Sequence, residues 1–72
     1  MEKSDLLKNV GKRIQELRES KGLTQVDLAG KIGVFDTTNV SRIESGRTNP
    51  TLYTLYRIAE ALEVNLDDLV RI

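Results

Sequence analysis

Residues 24–44 read TQVDLAGKIGVFDTTNVSRIE. Thr24 has the side chain to cap a helix, and Gly33 suits the end of that helix. Between them Leu28, Ala29 and Ile32 fall on one side of a segment running from about Gln25 to Ile32. Asp36 is a second N-cap and opens a segment reaching about Ser45, with Val40 and Ile43 as its inward pair. Two short helices joined by a glycine turn result. Ala29 is small where they must approach, and Gly33 lets the chain turn without a Cβ clash. The second helix offers Thr37, Thr38, Asn39, Ser41 and Arg42 outward.

The flanking sequence is helical as well. Upstream, Leu6, Leu7, Val10, Ile14 and Leu17 recur at steps of three and four, which predicts a first helix from about Asp5 to Lys21, stopped by Gly22. Downstream, Gly46 closes the third helix and Arg47-Thr48-Asn49-Pro50 reads as a turn. Thr51 caps a fourth helix ending near Leu62, with Leu52, Leu55, Ile58, Ala59 and Leu62 as its stripe. Asn65 caps a short fifth helix, with Asp67 and Asp68 where negative charge suits the helix dipole, and Leu66, Leu69 and Val70 as apolar contacts. No segment alternates like a strand. The expectation is all-α: five helices in one domain over residues 1–72, with the helix-turn-helix at about 24–45.

Composition narrows the function classes. A chain of 72 residues buries only about 60 % of its unfolded surface, so a second copy or very regular packing is needed to support it. With no Cys and no His, it has no disulfide, no thiolate or imidazole metal ligand and no near-neutral acid–base group. Asp67 and Asp68 point about 100° apart on a helix and have no third ligand nearby, so they read as helix-start residues. No catalytic residue, metal, cofactor or small-molecule ligand is expected.

Charge is balanced at 11 basic and 11 acidic side chains, but unevenly placed: residues 1–48 carry nine basic and seven acidic groups, residues 49–72 two and four. No apolar run approaches the ~20 residues of a membrane span, and Met1-Glu2-Lys3-Ser4-Asp5 lacks the apolar core of a signal peptide. The expectation is a cytoplasmic protein without a membrane partner.

A narrow helix with a polar outer face fits the major groove of DNA. Arg pairs bidentately with guanine, Asn with adenine, and Thr uses its hydroxyl or its methyl. The same pattern also suits an ordinary solvated helix of a small bundle.

Resemblance separates these readings. Gly11-Lys12-Arg13-Ile14-Gln15-Glu16-Leu17-Arg18, Lys21-Gly22-Leu23-Thr24-Gln25, Leu28-Ala29 and Ile32-Gly33-Val34 are similar to the Xre family, which includes the lambda-type phage repressors and Cro proteins. So are the run Val40 to Leu52 and the run Ile58-Ala59-Glu60-Ala61-Leu62-Glu63-Val64. In order and at this spacing, the pieces cover about residues 8–70. The resemblance implies a lambda-repressor-like five-helix domain that binds double-stranded operator DNA, usually as a homodimer. The chain is one residue longer than the family pattern between Gly33-Val34 and Ser41, and Phe35 reads as the addition, packing ahead of the Asp36 cap.

Roles carry over residue by residue. Thr37, Thr38 and Arg42, with Asn39 nearby, match positions that touch bases. Arg42 has a phosphate clamp as its alternative role. Gln25 matches a residue that holds a backbone phosphate at a helix N-terminus. Ser45, Arg47, Thr48 and Asn49 match the loop that grips the second phosphate strand, though Asn49-Pro50 also suits plain turn chemistry. Arg18 and Glu44 match a structural ion pair between helices one and three.

Tyr53 and Tyr56 are expected at the core edge, with a dimer contact or a phosphate as alternatives. Leu66, Leu69, Val70 and Ile72 cover helices one and four or form a dimer seam. The functional expectation is a regulator reading an inverted-repeat operator with helix three. The alternative is an antitoxin-type module with a protein partner and autoregulatory DNA binding.

Overall fold

The computed structural model describes residues 1–33 and 36–72. Val34 and Phe35, and with them the expected packing of Phe35, lie outside the described residues. Five helices follow one another: α1 Lys3–Ser20, α2 Gln25–Ile32, α3 Thr37–Glu44, α4 Leu52–Leu62 and α5 Leu66–Leu69. No strand occurs among the described residues.

The helix starts follow from side chains that accept a backbone N–H. Thr24 Oγ1 accepts from the Asp27 N–H at 3.0 Å, while Asp27 Oδ2 accepts from the Thr24 N–H at 2.9 Å, a reciprocal capping box. Asp36 Oδ1 accepts from the Asn39 N–H at 2.9 Å, and Thr51 Oγ1 from the Thr54 N–H at 3.1 Å. At α5 the Asn65 N–H donates to Asp68 Oδ2 at 3.0 Å. The helix ends use a left-handed residue: Gly22 (φ 71°), Gly46 (φ 75°) and, without glycine, Glu63 (φ 58°).

The core is built by one stripe from each helix. Val10 and Ile14 of α1, Leu28, Ala29 and Ile32 of α2, Val40 and Ile43 of α3, Ile58, Ala59 and Leu62 of α4, and Leu69 of α5 are all buried. Leu17, Leu23, Leu55, Ala61, Val64 and Leu66 pack around them half-buried.

Several expected core positions are exposed instead. Leu52 leads α4 before the helix meets the bundle, and Leu6 precedes the closest α1 contacts; both are exposed, as is Val70 after α5. Tyr53 and Tyr56 are exposed rather than placed at the core edge, because Leu55, Ile58, Ala59 and Leu62 already fill the inward side of α4.

Two arginines hold helix ends that the sequence pattern did not flag. Arg57 Nη2 donates to the carbonyl of Ile32, the last residue of α2, at 2.6 Å. Arg13 Nε donates to the Asp68 carbonyl in α5 at 2.9 Å. Both place positive charge at the negative end of a helix.

α3 meets α1 backbone to backbone. A Cβ on Gly11 would stand 2.3 Å from the Ile43 carbonyl oxygen and 2.6 Å from that of Glu44. A Cβ on Gly46 would stand 2.9 Å from the Lys8 backbone. Only glycine admits these approaches, so the C-terminal turn of α3 lies directly on α1.

Candidate nucleic-acid interface

α3 has one side committed to the bundle and one side left open. Val40, Ile43 and Glu44 are buried; Thr38, Asn39, Ser41 and Arg42 are exposed, and Thr37 is half-buried. Among the described residues, no hydrogen bond or ion pair engages the side chains of Thr37, Thr38, Asn39 or Arg42. Four groups with donors, acceptors and one positive charge thus share an open helix face.

The inner side is held by a charged network. Arg18 Nε donates to Glu44 Oε2 at 2.6 Å and Arg18 Nη2 to Glu44 Oε1 at 3.0 Å, both side chains more than nine-tenths buried. Arg18 Nη1 also donates to the Leu23 carbonyl at 2.7 Å, at the entry to α2. The hydrogen bond to Glu44 raises the Arg18 pKa above its ordinary value against the opposing effect of burial. No buried side-chain nitrogen or oxygen among the described residues is without a partner.

Gln25 belongs to this network. Its Nε2 donates to Glu44 Oε1 at 3.0 Å, so its amide reaches inward to α3. By position, the N–H groups of Gln25 and Val26 are the donors left unpaired at the α2 N-terminus. The Asp27 carboxylate also stands at that end, its pKa lowered by the backbone and side-chain hydrogen bonds of Thr24.

Beyond α3 the chain bends back. Ser45 Oγ donates to the Arg42 carbonyl at 3.2 Å, which turns that hydroxyl onto its own helix. Arg47 projects exposed while its N–H donates to the Arg42 carbonyl at 2.9 Å. Thr48 and Asn49 line an open polar cleft of about 220 Å³ with Asn39, Thr51 and Thr54. Thr54 did not stand out in the sequence. Its place three residues after the Thr51 cap, with a hydroxyl on the open side, was the available signal.

The structure therefore gathers Arg18, Gln25 and Glu44 on the inside, spreads Thr37, Thr38, Asn39 and Arg42 on the outside, and sets Arg47, Thr48 and Asn49 at the adjoining loop. No group of three or more acidic side chains among the described residues is arranged to hold a metal ion, and no helix is long and apolar enough to cross a membrane.

The helix-turn-helix family model matches residues 14–69. The chain is 44 % identical over 66 residues to the HTH-type transcriptional regulator y4dJ of Sinorhizobium fredii, spanning 92 % of this chain and 84 % of that protein. It is 35 % identical over 60 residues to the cryptic phage CTXphi transcriptional repressor RstR of Vibrio cholerae, spanning 83 % of this chain and 53 % of that one. Among solved structures, the restriction-modification controller protein C.AhdI of Aeromonas hydrophila superposes with a TM-score of 0.84 at 36 % identity, over 88 % of this chain and 94 % of that one.

Proposed function

This chain belongs to the helix-turn-helix family of DNA-binding transcriptional regulators, a non-enzymatic class, and from that premise we propose that it reads an inverted-repeat operator through the major groove with α3. Thr37, Thr38, Asn39 and Arg42 contact base edges. Arg47, Thr48 and Asn49 hold the sugar-phosphate backbone, and the N-terminal N–H groups beside Gln25 take a phosphate on the other flank. Two copies bind half-sites about 34 Å apart. The setting is the cytoplasm, on the nucleoid.

One observation carries this reading. The outward side chains of α3 are free of internal partners while its inward side is fixed by Glu44, Val40 and Ile43. A polar face held rigidly and left unsatisfied is what base recognition requires.

Selection of bound duplexes from a random library, followed by fluorescence titration over a range of salt, tests it. The expected result is an enriched inverted repeat, with affinity falling linearly in the logarithm of salt concentration. Recovery of no preferred sequence refutes the reading.

A further inference from the structure

The two ends of α3 are held by different parts of the chain. Its last turn lies on α1 through Gly11 and the Arg18–Glu44 pair. Its first residue follows the last residue of α2, Ile32, after residues 33–36 alone. Four residues span at most about 14 Å, so the end of α2 sets where α3 begins.

That end of α2 is built unlike the others. α1, α3 and α4 finish on a left-handed residue. Gly33 instead stands at φ 102° and ψ −102°, outside the left-handed helical region. A side chain from α4 serves this end, for Arg57 Nη2 donates to the Ile32 carbonyl at 2.6 Å.

The guanidinium of Arg57 is itself aimed. Its Nη1 donates to the Tyr53 hydroxyl at 3.4 Å, its Nε lies 3.5 Å from Glu60 Oε1, and its carbon sits 5.9 Å from the centre of the Tyr53 ring. Tyr53 and Glu60 stand four residues before and three after Arg57, a spacing that puts side chains on one flank of a helix. Arginine presents its donors in a rigid planar fork, so three nitrogens on three partners fix its orientation. The Arg57 side chain is 35 % exposed, and an ion pair in such a place adds little stability. The effect of Glu60 is to direct the fork towards α2.

We propose that Arg57, aimed by Tyr53 and Glu60, is a positioning residue for base reading: by holding the Ile32 carbonyl it fixes the end of α2 and with it the placement of Thr37 and Thr38 against DNA. This rests on the reading by α3 given above and adds a determinant on α4 that acts without touching DNA.

Recognition groups need to be held within about 0.5 Å of their working positions. Releasing the end of α2 frees the first turn of α3, where Thr37 and Thr38 stand. Arg42 is two residues from Glu44 and keeps its anchor on α1. Arg13 supplies a matched comparison. It also donates to a helix carbonyl, that of Asp68 at 2.9 Å, but in α5, which carries none of the reading residues. Replacing either arginine with glutamine removes one positive charge and one such bond.

The experiment compares the full chain as wild type, Arg57→Gln, Tyr53→Leu and Arg13→Gln, each with a thermal melt. The wild-type chain selects its duplex from a random library, and Thr38→Ala and Arg42→Ala mark which base pairs face the first and last turns of α3. Each variant is then titrated, over a range of salt, against that duplex and its single-base-pair changes. For Arg57→Gln the expected result is a loss of discrimination of about tenfold, the scale of one hydrogen bond from a charged donor, confined to base pairs facing the first turn. Its salt slope stays that of the wild type. Tyr53→Leu gives the same pattern more weakly; Tyr53 is exposed, so this variant carries the test if Arg57→Gln does not fold. Arg13→Gln lowers the melting temperature and leaves discrimination unchanged at every base pair. An even loss across the site, no loss, or the same pattern in Arg13→Gln overturns the inference. So does a salt slope reduced by about one in Arg57→Gln, which makes Arg57 a phosphate contact. If the wild-type chain selects no duplex, the reading by α3 falls and this inference with it. A selected duplex alongside any of the other adverse results leaves that reading standing and refutes the role of Arg57 alone.

Discussion

Arg18 and Glu44 are joined by two hydrogen bonds, at 2.6 and 3.0 Å, in a place where each residue is only 7 % exposed. The pair ties the last turn of α1 to the end of α3. Breaking it from one side strands the other charge out of water. Glu44→Ala should therefore cost about 3–5 kcal/mol, enough to unfold much of a domain this small at physiological temperature. Replacing both partners, Arg18→Met with Glu44→Leu, should recover most of that loss. Urea unfolding followed by circular dichroism measures both. A Glu44→Ala chain as stable as the wild type contradicts the burial argument.

Gly11→Ala and Gly30→Ala should move stability in opposite directions. Both glycines are helical, and alanine in a helix interior is ordinarily worth about 0.5–1 kcal/mol over glycine. At Gly30 an added Cβ meets nothing within 4 Å, so the melting temperature should rise. At Gly11 it meets carbonyl oxygens of Ile43 and Glu44, which are backbone and cannot swing aside, so stability should fall by about 1–3 kcal/mol. Thermal melts of the two variants check the opposite signs.

Glu63→Gly should stabilise the chain modestly, by up to about 1 kcal/mol. Glu63 ends α4 at φ 58° and ψ 42°, a conformation that is costly with a Cβ and free of that cost for glycine. The Val64 N–H bond to the Ala59 carbonyl at 3.0 Å is kept, because it involves backbone alone. Chemical denaturation is the measurement, and a loss of stability means that the Glu63 side chain holds the turn.

Acid should weaken the start of α2. Asp27 has its pKa lowered below the ordinary 3.8 by the hydrogen bonds of Thr24. A lowered value means that the folded chain favours the ionised carboxylate. Its contribution is complete above pH 3.8 and is lost as pH falls through the lower folded value. Asp27→Asn should remove this segment of the pH profile, and urea midpoints from neutral to acid pH, compared with the wild type, report the difference.

Arg42→Ala and Arg47→Ala should differ in kind. Loss of a base contact relaxes the preference at one position of the selected sequence and costs about 1–3 kcal/mol of discrimination. Loss of a phosphate contact weakens all sequences alike and reduces the salt slope by about one. The open face of α3 gives the first outcome for Arg42 and the loop the second for Arg47. Titrations of each variant against the selected duplex and a scrambled one decide this.

Much of the fold was legible because its signals are local. Thr24, Asp36 and Thr51 each accept the hydrogen bond that a cap requires, and the steps of three and four in α1, α2 and α4 name most of the buried set. Periodicity overreached at Leu52, since an apolar residue at a helix start continues the stripe whether or not anything lies against it. It was blind to Arg13 and Arg57, whose partners are carbonyls 55 and 25 residues away. The site was legible in outline, as an open polar face on α3. The inward turn of the Gln25 amide was not, because nothing in residues 24–33 tells where Glu44 will stand.

The contact between α1 and the last turn of α3 makes α3, in its proposed reading role, a lever with a fixed fulcrum. Its far end cannot slide or roll without driving Ile43 and Glu44 carbonyls through the α1 backbone at Gly11. Any accommodation to an imperfect sequence must therefore arise at the near end, around Asp36 and Thr37, or in the rotamers of Asn39 and Arg42. Tolerance to base changes should accordingly be graded along the helix, greatest opposite its first turn and least opposite its last.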